Sequence, residues 1–121
     1  MKKILIVDDS KAMRLVVRRS LRQAGLPAHE VVEAANGKEA LDVIARENPD
    51  LVLSDWNMPE MNGIELLRTL KENGTSVSFG FITTEGTPEM IAKAINEGAM
   101  FLIAKPFTPE QLSETLTPVL K

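Results

Sequence analysis

The chain has 121 residues, 44% of them hydrophobic and 26% charged, which is typical of one globular domain with its own core. Its 14 basic and 17 acidic residues give a net charge of -3, which argues against a general nucleic-acid or membrane binder. The lack of cysteine excludes disulfides and thiolate sites. The first apolar run, residues 4–7, is too short for a membrane span, so we expect a cytoplasmic protein without membrane insertion.

Short apolar strands alternate with amphipathic helices along the chain. The predicted strands are residues 4–7, 30–34, 51–55, 77–83 and 100–104, and the predicted helices are 11–24, the stretch after the Asn36 cap, 63–72, 88–97 and the stretch after the Thr108 cap. Glu39 and Gln111 follow the two caps in capping-box spacing, and Thr87-Pro88 begins the fourth helix. Helical spacing predicts five buried faces: Met13, Val16, Val17, Leu21 and Ala24; Ala40, Leu41, Ile44 and Ala45; Ile64, Leu67 and Leu70; Ile91, Ala94 and Ile95; and Leu112, Leu116 and Leu120.

This alternation predicts an α/β fold, a single doubly wound (βα)5 domain whose parallel sheet is covered by helices on both faces. Right-handed crossovers and the common strand orders favour the order 2-1-3-4-5. In that order the first and third strands are neighbours, so Asp8 and Asp9 would meet Asp55 at the carboxyl edge of the sheet. Thr83 and Lys105 end the fourth and fifth strands at the same edge.

Three carboxylates at one edge repel each other. Two unit charges about 4 Å apart cost on the order of 4 kcal/mol at an effective dielectric of about 20. Such a cluster must raise a pKa or recruit a cation. With no cysteine and only the distant His29, which we expect to be a surface polar residue, oxygen ligands favour Mg²⁺ over Zn²⁺. Simpler interpretations are also possible from the residues alone. Asp8 and Asp9 could merely begin a helix, where acids are favoured, and Lys105 could be a surface lysine.

A divalent cation beside a carboxylate invites phosphoryl chemistry, in which Asp55 is the candidate nucleophile. Lys105 could neutralise one phosphoryl oxygen and the Thr83 hydroxyl could donate to another, with Thr84 as the rival position. Trp56, the only tryptophan, follows Asp55 in a proline-containing loop, and we expect it to be partly exposed.

Four motifs in this order resemble the receiver domain of two-component response regulators, most closely the stand-alone CheY-like chemotaxis receivers. They are Val7-Asp8-Asp9, Asp55-Trp56-Asn57-Met58-Pro59 with Gly63, Thr83, and Lys105-Pro106-Phe107. The resemblance extends from Lys3 to Leu120. It implies a flavodoxin/CheY-like fold and one receiver domain at residues 1–121 with no output domain.

The resemblance also implies roles for individual residues. Asp55 would accept a phosphoryl group from a histidine kinase or a small donor such as acetyl phosphate. Mg²⁺, or Mn²⁺ in its place, would be held by Asp8, Asp9, Asp55 and the backbone carbonyl of Asn57. Thr83 would move towards the phosphoryl group, Lys105 would pair with it, and the Lys105-Pro106 bond would be cis. Asn57, Glu85 and Thr84 occupy positions that tune dephosphorylation in the family.

The sequence departs from the family pattern at Leu102. The family couples the moving threonine to an aromatic ring in the middle of the fifth strand, and Leu102 takes that position here. Phe101 is adjacent, but neighbouring strand residues point to opposite faces of the sheet. We therefore expect Leu102 to move between buried and exposed positions, with a smaller surface change.

The leading function is a phosphorylation-dependent signalling module rather than an enzyme. Its partners would be a histidine kinase, a downstream target bound at the helix four, strand five and helix five surface, and in some settings a phosphatase; we expect a monomer, and chemotaxis as the pathway. One alternative is an aspartyl-phosphate-forming phosphatase, but that class needs a second acid where Asn57 stands. Another is a binding module that is never phosphorylated. Arg18, Arg19 and Arg22 would form a solvated face, or alternatively help to dock an acidic partner.

Overall fold

The computed structural model describes residues 2–26 and 30–120, so the expectation for His29 lies outside the described residues. Ten elements alternate as predicted. They are β1 (Lys3–Val7), α1 (Lys11–Gln23), β2 (Glu30–Ala34), α2 (Gly37–Glu47), β3 (Leu51–Ser54), α3 (Gly63–Glu72), β4 (Ser78–Thr83), α4 (Pro88–Asn96), β5 (Phe101–Ala104) and α5 (Pro109–Leu120). All ten predicted elements are present. For the elements whose two ends were predicted, each predicted end lies within one residue of the observed end.

The five strands form one parallel sheet in the order β2-β1-β3-β4-β5, which confirms the predicted topology. β1 pairs with β3 in a register that sets Val7 opposite Ser54. The next residues along the two strands, Asp8 and Asp55, therefore leave the sheet at the same level. This register is what places the acids side by side.

Helices cover both faces of the sheet and define two cores. The first core lies between the sheet and α2, α3 and α4, and includes Phe79 and Phe81 of β4. The second core lies under α1 and α5, and includes Ile82 of the same strand. In β5, Leu102 packs against the first core and Phe101 against the second, which confirms that the two side chains point to opposite faces.

Helix caps follow the predicted residues. The side chains of Asn36 and Thr87 accept hydrogen bonds from the third backbone N–H of α2 and α4, respectively. At α5, the Thr108 hydroxyl accepts from the Gln111 N–H, and the Gln111 side chain accepts from the Thr108 N–H, so the predicted capping box is present. No helix in the described ranges is long and apolar enough to cross a membrane.

Four residues that were predicted to be buried are exposed: Val16 at 44%, Ile91 at 41%, Ile95 at 48%, and Ala45. Each lies beside the true buried stripe of its helix, because that stripe is narrower than helical spacing alone indicates. In α4 the stripe is the fully buried Ala94 with the partly buried Met90. α4 packs against β5, the edge strand of the sheet, and its two isoleucines remain exposed there.

Candidate functional site

Three carboxylates converge where β1 and β3 end. The Asp55 N–H donates to the Val7 carbonyl across 2.8 Å, which continues the β1–β3 pairing past the last strand residue. As a result, one carboxylate oxygen from each of Asp8, Asp9 and Asp55 lies within 4.8 Å of the others. The convergence expected from the strand order is thus present in the structure.

The three acids differ in how they are held. Asp8 is 4% exposed; its Oδ1 accepts from the Ser10 N–H at 2.9 Å and its Oδ2 from the Lys105 ammonium at 3.1 Å. Asp55 is partly buried, and its Oδ1 accepts from the Trp56 N–H at 2.8 Å. Asp9 is exposed, and its carboxylate makes no hydrogen bond to any residue that the structure describes. Two acids are therefore fixed by partners, and the third is placed by its backbone alone.

The pKa of Asp55 is raised above its usual value, mainly because burial disfavours the charged form. The Lys105 ammonium opposes this shift from 3.9 Å, whereas the charges of Asp8 and Asp9 add to it. One lysine among three carboxylates leaves an excess of negative charge, so the site favours a cation.

The donor set fits Mg²⁺. All candidate ligands are oxygens, which hard divalent cations prefer, and the carboxylate oxygens span a distance that one ion can bridge with small adjustments. Asp9 and the Oδ2 atom of Asp55 are free of protein hydrogen bonds within the described residues, so they can accept a metal ion without breaking one. Mn²⁺ suits the same ligands.

Thr83 is the last residue of β4 and is fully buried. Its hydroxyl has no hydrogen-bond partner among the described residues, and a buried polar group without a partner is costly. Thr84, the rival position, lies beyond the strand and is exposed. The geometry therefore favours Thr83 as the hydroxyl that is available to a new acceptor.

The remaining predicted residues surround the acids or lie behind them. Asn57 and Glu85 are both exposed, and the Asn57 amide donates to the Glu85 carboxylate at 3.5 Å. The Lys105-Pro106 peptide bond is cis, as the resemblance implied. Leu102 is partly buried in the first core, on the same face as Thr83. These positions link the loop that follows Asp55 with the end of β4 and with β5.

Gly63 and Trp56 shape the loop that follows Asp55. A Cβ atom on Gly63 would overlap the Asp55 carbonyl oxygen and the Phe81 ring, so only glycine allows this close approach. The prediction that Trp56 is partly exposed is wrong: it is 9% exposed, and its ring centroid lies 4.8 Å from that of Phe81. The loop folds back over the first core because its apolar side chains, including Met58, pack there.

The structure also shows a contact that sequence reasoning missed. Arg18 was interpreted as solvated, but Arg14 and Arg18 both donate to the Glu33 carboxylate of β2, each across 2.8 Å. Arg14 donates in addition to the Asp8 carbonyl at 2.6 Å. The sequence pattern that could have predicted this contact is the spacing of Arg14 and Arg18, which are one helical turn apart, together with Glu33 in the following strand.

Comparison with known proteins gives a consistent result. The family model for the response regulator receiver domain matches residues 4–117. A chemotaxis protein CheY homolog from Campylobacter jejuni is 38% identical over 98% of this chain and 92% of its own length, and chemotaxis protein CheY1 from Helicobacter pylori is 37% identical over 98% and 96%. The structure of the chemotaxis response regulator CheY4 of Vibrio cholerae is similar with a TM-score of 0.85, at 37% identity and 98% coverage of each chain. A Francisella response regulator receiver domain has a TM-score of 0.87 at 25% identity, covering 98% of this chain and 96% of its own.

Proposed function

The chain belongs to the response regulator receiver family, and on that basis we propose that it transmits a signal by accepting a phosphoryl group on Asp55. The observation that carries this proposal is the cluster of Asp8, Asp9 and Asp55 within 4.8 Å, with the Lys105 ammonium 3.9 Å from Asp55 Oδ2. In this proposal Asp55 would be the nucleophile, the three acids would hold the cation, and Lys105 would supply a positive charge beside them.

The chemistry would proceed from the ionised Asp55 carboxylate. One of its oxygens attacks the phosphorus of a phosphohistidine on the kinase; an O–P bond forms as the P–N bond breaks, and the imidazole nitrogen keeps the electron pair and takes up a proton from water. Lys105 would neutralise one phosphoryl oxygen and the Thr83 hydroxyl would donate to another. Mg²⁺, held by Asp8, Asp9, Asp55 and the Asn57 carbonyl, would offset charge on the acids and on the phosphoryl group.

The output would be a changed binding surface on α4, β5 and α5. Thr83 lies opposite Ala104 in the sheet, and Leu102 is two residues earlier on the same face. A Thr83 side chain that turns towards the phosphoryl group would leave room that Leu102 can occupy. Ile91 and Ile95 are already exposed on α4, so a small shift of this helix changes an apolar surface that a downstream protein can bind.

The partners follow from the same proposal. A histidine kinase would supply the phosphoryl group, and a downstream protein would bind the phosphorylated monomer in the cytoplasm. Because similar proteins are named as chemotaxis proteins, we place the chain in a chemotaxis pathway. Receiver domains of this type are signalling modules, so its output would be binding and not the turnover of a metabolite.

Incubation with Mg²⁺ and acetyl phosphate, followed by intact mass measurement, tests the proposal. We expect the wild-type chain to gain the mass of one phosphoryl group and Asp55→Asn to gain none. Asp9→Asn is a useful second variant, since it keeps the acceptor but removes a metal ligand and should slow the gain. An unmodified wild-type chain, or equal labelling of Asp55→Asn, would contradict the proposal. Continuous phosphate release from many small phosphate esters would instead favour the phosphatase alternative.

A further inference from the structure

The guanidinium of Arg14 connects the acid-bearing loop to the neighbouring strand. Its Nη1 donates to the backbone carbonyl of Asp8 at 2.6 Å, and its Nε donates to the Glu33 carboxylate at 2.8 Å. The Arg14 side chain is 15% exposed, so solvent competes weakly for these bonds. A planar guanidinium that donates in two directions holds both partners at a fixed separation.

Glu33 is itself held in place, which makes the connection rigid. Arg18 donates to the second oxygen of Glu33 at 2.8 Å and to the Val31 carbonyl at 3.3 Å. Burial raises the pKa of Glu33, but the hydrogen bonds from Arg14 and Arg18 outweigh it, so the pKa lies below its usual value and the carboxylate stays charged. Arg14 therefore acts on the loop from a fixed support.

The loop needs such support because Asp9 has no side-chain partner of its own among the described residues. Its carboxylate is placed by the preceding peptide, whose carbonyl belongs to Asp8. That residue is bound at its N–H by the Ala34 carbonyl and at its C=O by Arg14. Loss of the Arg14 bond would leave the Asp8 carbonyl without this hydrogen bond, so the Asp8–Asp9 peptide could rotate and change the direction of the Asp9 carboxylate.

We propose that Arg14 is a positioning residue for divalent cation binding, which acts by fixing the Asp8–Asp9 peptide and thereby the direction of the Asp9 carboxylate. This inference rests on the proposed function, because it assumes that the three acids hold a metal ion. Arg14 does not contact the ion or the phosphoryl group.

The direction in which cation affinity changes when Arg14 is replaced distinguishes a positioning role from a simple charge effect. Removing a positive charge near three carboxylates would tighten cation binding if charge alone mattered. Removing a positioning bond weakens it, and partners that orient metal ligands typically change affinity by about 10-fold to 100-fold. Arg18 offers a matched control: it shares Glu33 with Arg14, lies one helical turn further along α1, and makes no bond to Asp8.

The experiment is a Mn²⁺ titration of the full chain, in which electron paramagnetic resonance measures the free ion directly. We expect Arg14→Gln to raise the Mn²⁺ Kd about 10-fold. Arg18→Gln should leave the Kd within about twofold, since the partly exposed Arg18 charge is screened by salt and its hydrogen bonds go to Glu33 and Val31. The Tm of both variants should fall by similar amounts, because each loses one bond to Glu33 and one bond to a backbone carbonyl. Arg14→Lys keeps the positive charge but loses the planar guanidinium that donates in two directions, so it should recover part of the Mn²⁺ affinity. This variant serves as the test if Arg14→Gln does not fold.

Each outcome is decisive. A Kd for Arg14→Gln that is unchanged or tighter would overturn the inference, as would equal weakening in Arg14→Gln and Arg18→Gln. If the wild-type chain binds no Mn²⁺ or Mg²⁺, the proposed function itself fails. The two failures are distinguishable because the second appears before any arginine is changed.

Discussion

Replacing Thr83 with valine should stabilise the fold while weakening its response to phosphorylation. The Thr83 hydroxyl is fully buried and has no partner among the described residues. On folding, this hydroxyl therefore loses its hydrogen bonds to water and gains none within the protein. Such a group costs about 1–3 kcal/mol, and valine replaces it with a methyl group of similar shape. We expect a gain of about 1–2 kcal/mol in the free energy of unfolding, or a rise in Tm of about 4–8 °C in a domain of this size.

Urea unfolding followed by tryptophan fluorescence measures this gain. Trp56 is the only tryptophan and is 9% exposed in the fold, so its emission reports global unfolding. Thr84→Val is the control: Thr84 is exposed, and the change should stay within about 0.5 kcal/mol. A loss of stability in Thr83→Val would show that the hydroxyl is satisfied in solution and would refute the reasoning.

Thr83→Val also tests whether Thr83 takes part in the response to phosphorylation. Adding Mg²⁺ with beryllofluoride, a phosphoryl analogue, should stabilise the wild-type chain more than Thr83→Val, because only threonine can donate to the analogue. A hydrogen bond to a charged group contributes about 1.5–3 kcal/mol, which sets the expected difference. Equal stabilisation of the two chains would mean that Thr83 does not contact the phosphoryl group.

Three further changes test other parts of the site. Gly63→Ala should destabilise the fold by about 1–3 kcal/mol in urea unfolding and slow acetyl phosphate labelling, because the new Cβ overlaps the Asp55 carbonyl and the Phe81 ring; labelling at the wild-type rate would argue against this. Trp56→Ala should cost about 3–5 kcal/mol by circular dichroism, since the ring is buried against Phe81, and a cost below about 1 kcal/mol would restore the exposed-loop interpretation. Without divalent cations, Asp55→Asn should be more stable than the wild-type chain in urea unfolding at pH 7, because burial raises the pKa of Asp55 and its ionised form therefore destabilises the fold. Below its raised pKa Asp55 becomes neutral, so the gain should fade as the pH falls towards 3.8, and a gain independent of pH would contradict the pKa direction.

Features that depend on nearby residues were predictable from the sequence. Each strand is a short apolar run and each helix has a capping residue and a periodic face, so the elements and their approximate ends could be read locally. The order of the strands came from the few arrangements that right-handed crossovers permit. Given that order, Asp8, Asp9 and Asp55 had to meet, because parallel strands end at a common edge.

Features that depend on packing between distant residues were not predictable. Whether Ile95 or Ala94 is buried depends on how α4 is rotated against the sheet, and helical spacing does not contain that rotation. Trp56 is buried because its loop folds back onto Phe81, which is 25 positions further along the chain.

The sequence by itself determined which functional groups stand at the strand ends, and these residue types favour the proposed metal and phosphoryl chemistry. Only the tertiary structure decided how those groups are held. The unpartnered hydroxyl of Thr83 and the link from Arg14 to the Asp8 carbonyl are both products of three-dimensional packing. The physical reason is range: propensity and periodicity act over a few residues, whereas desolvation and hydrogen bonding depend on every group that the fold brings near.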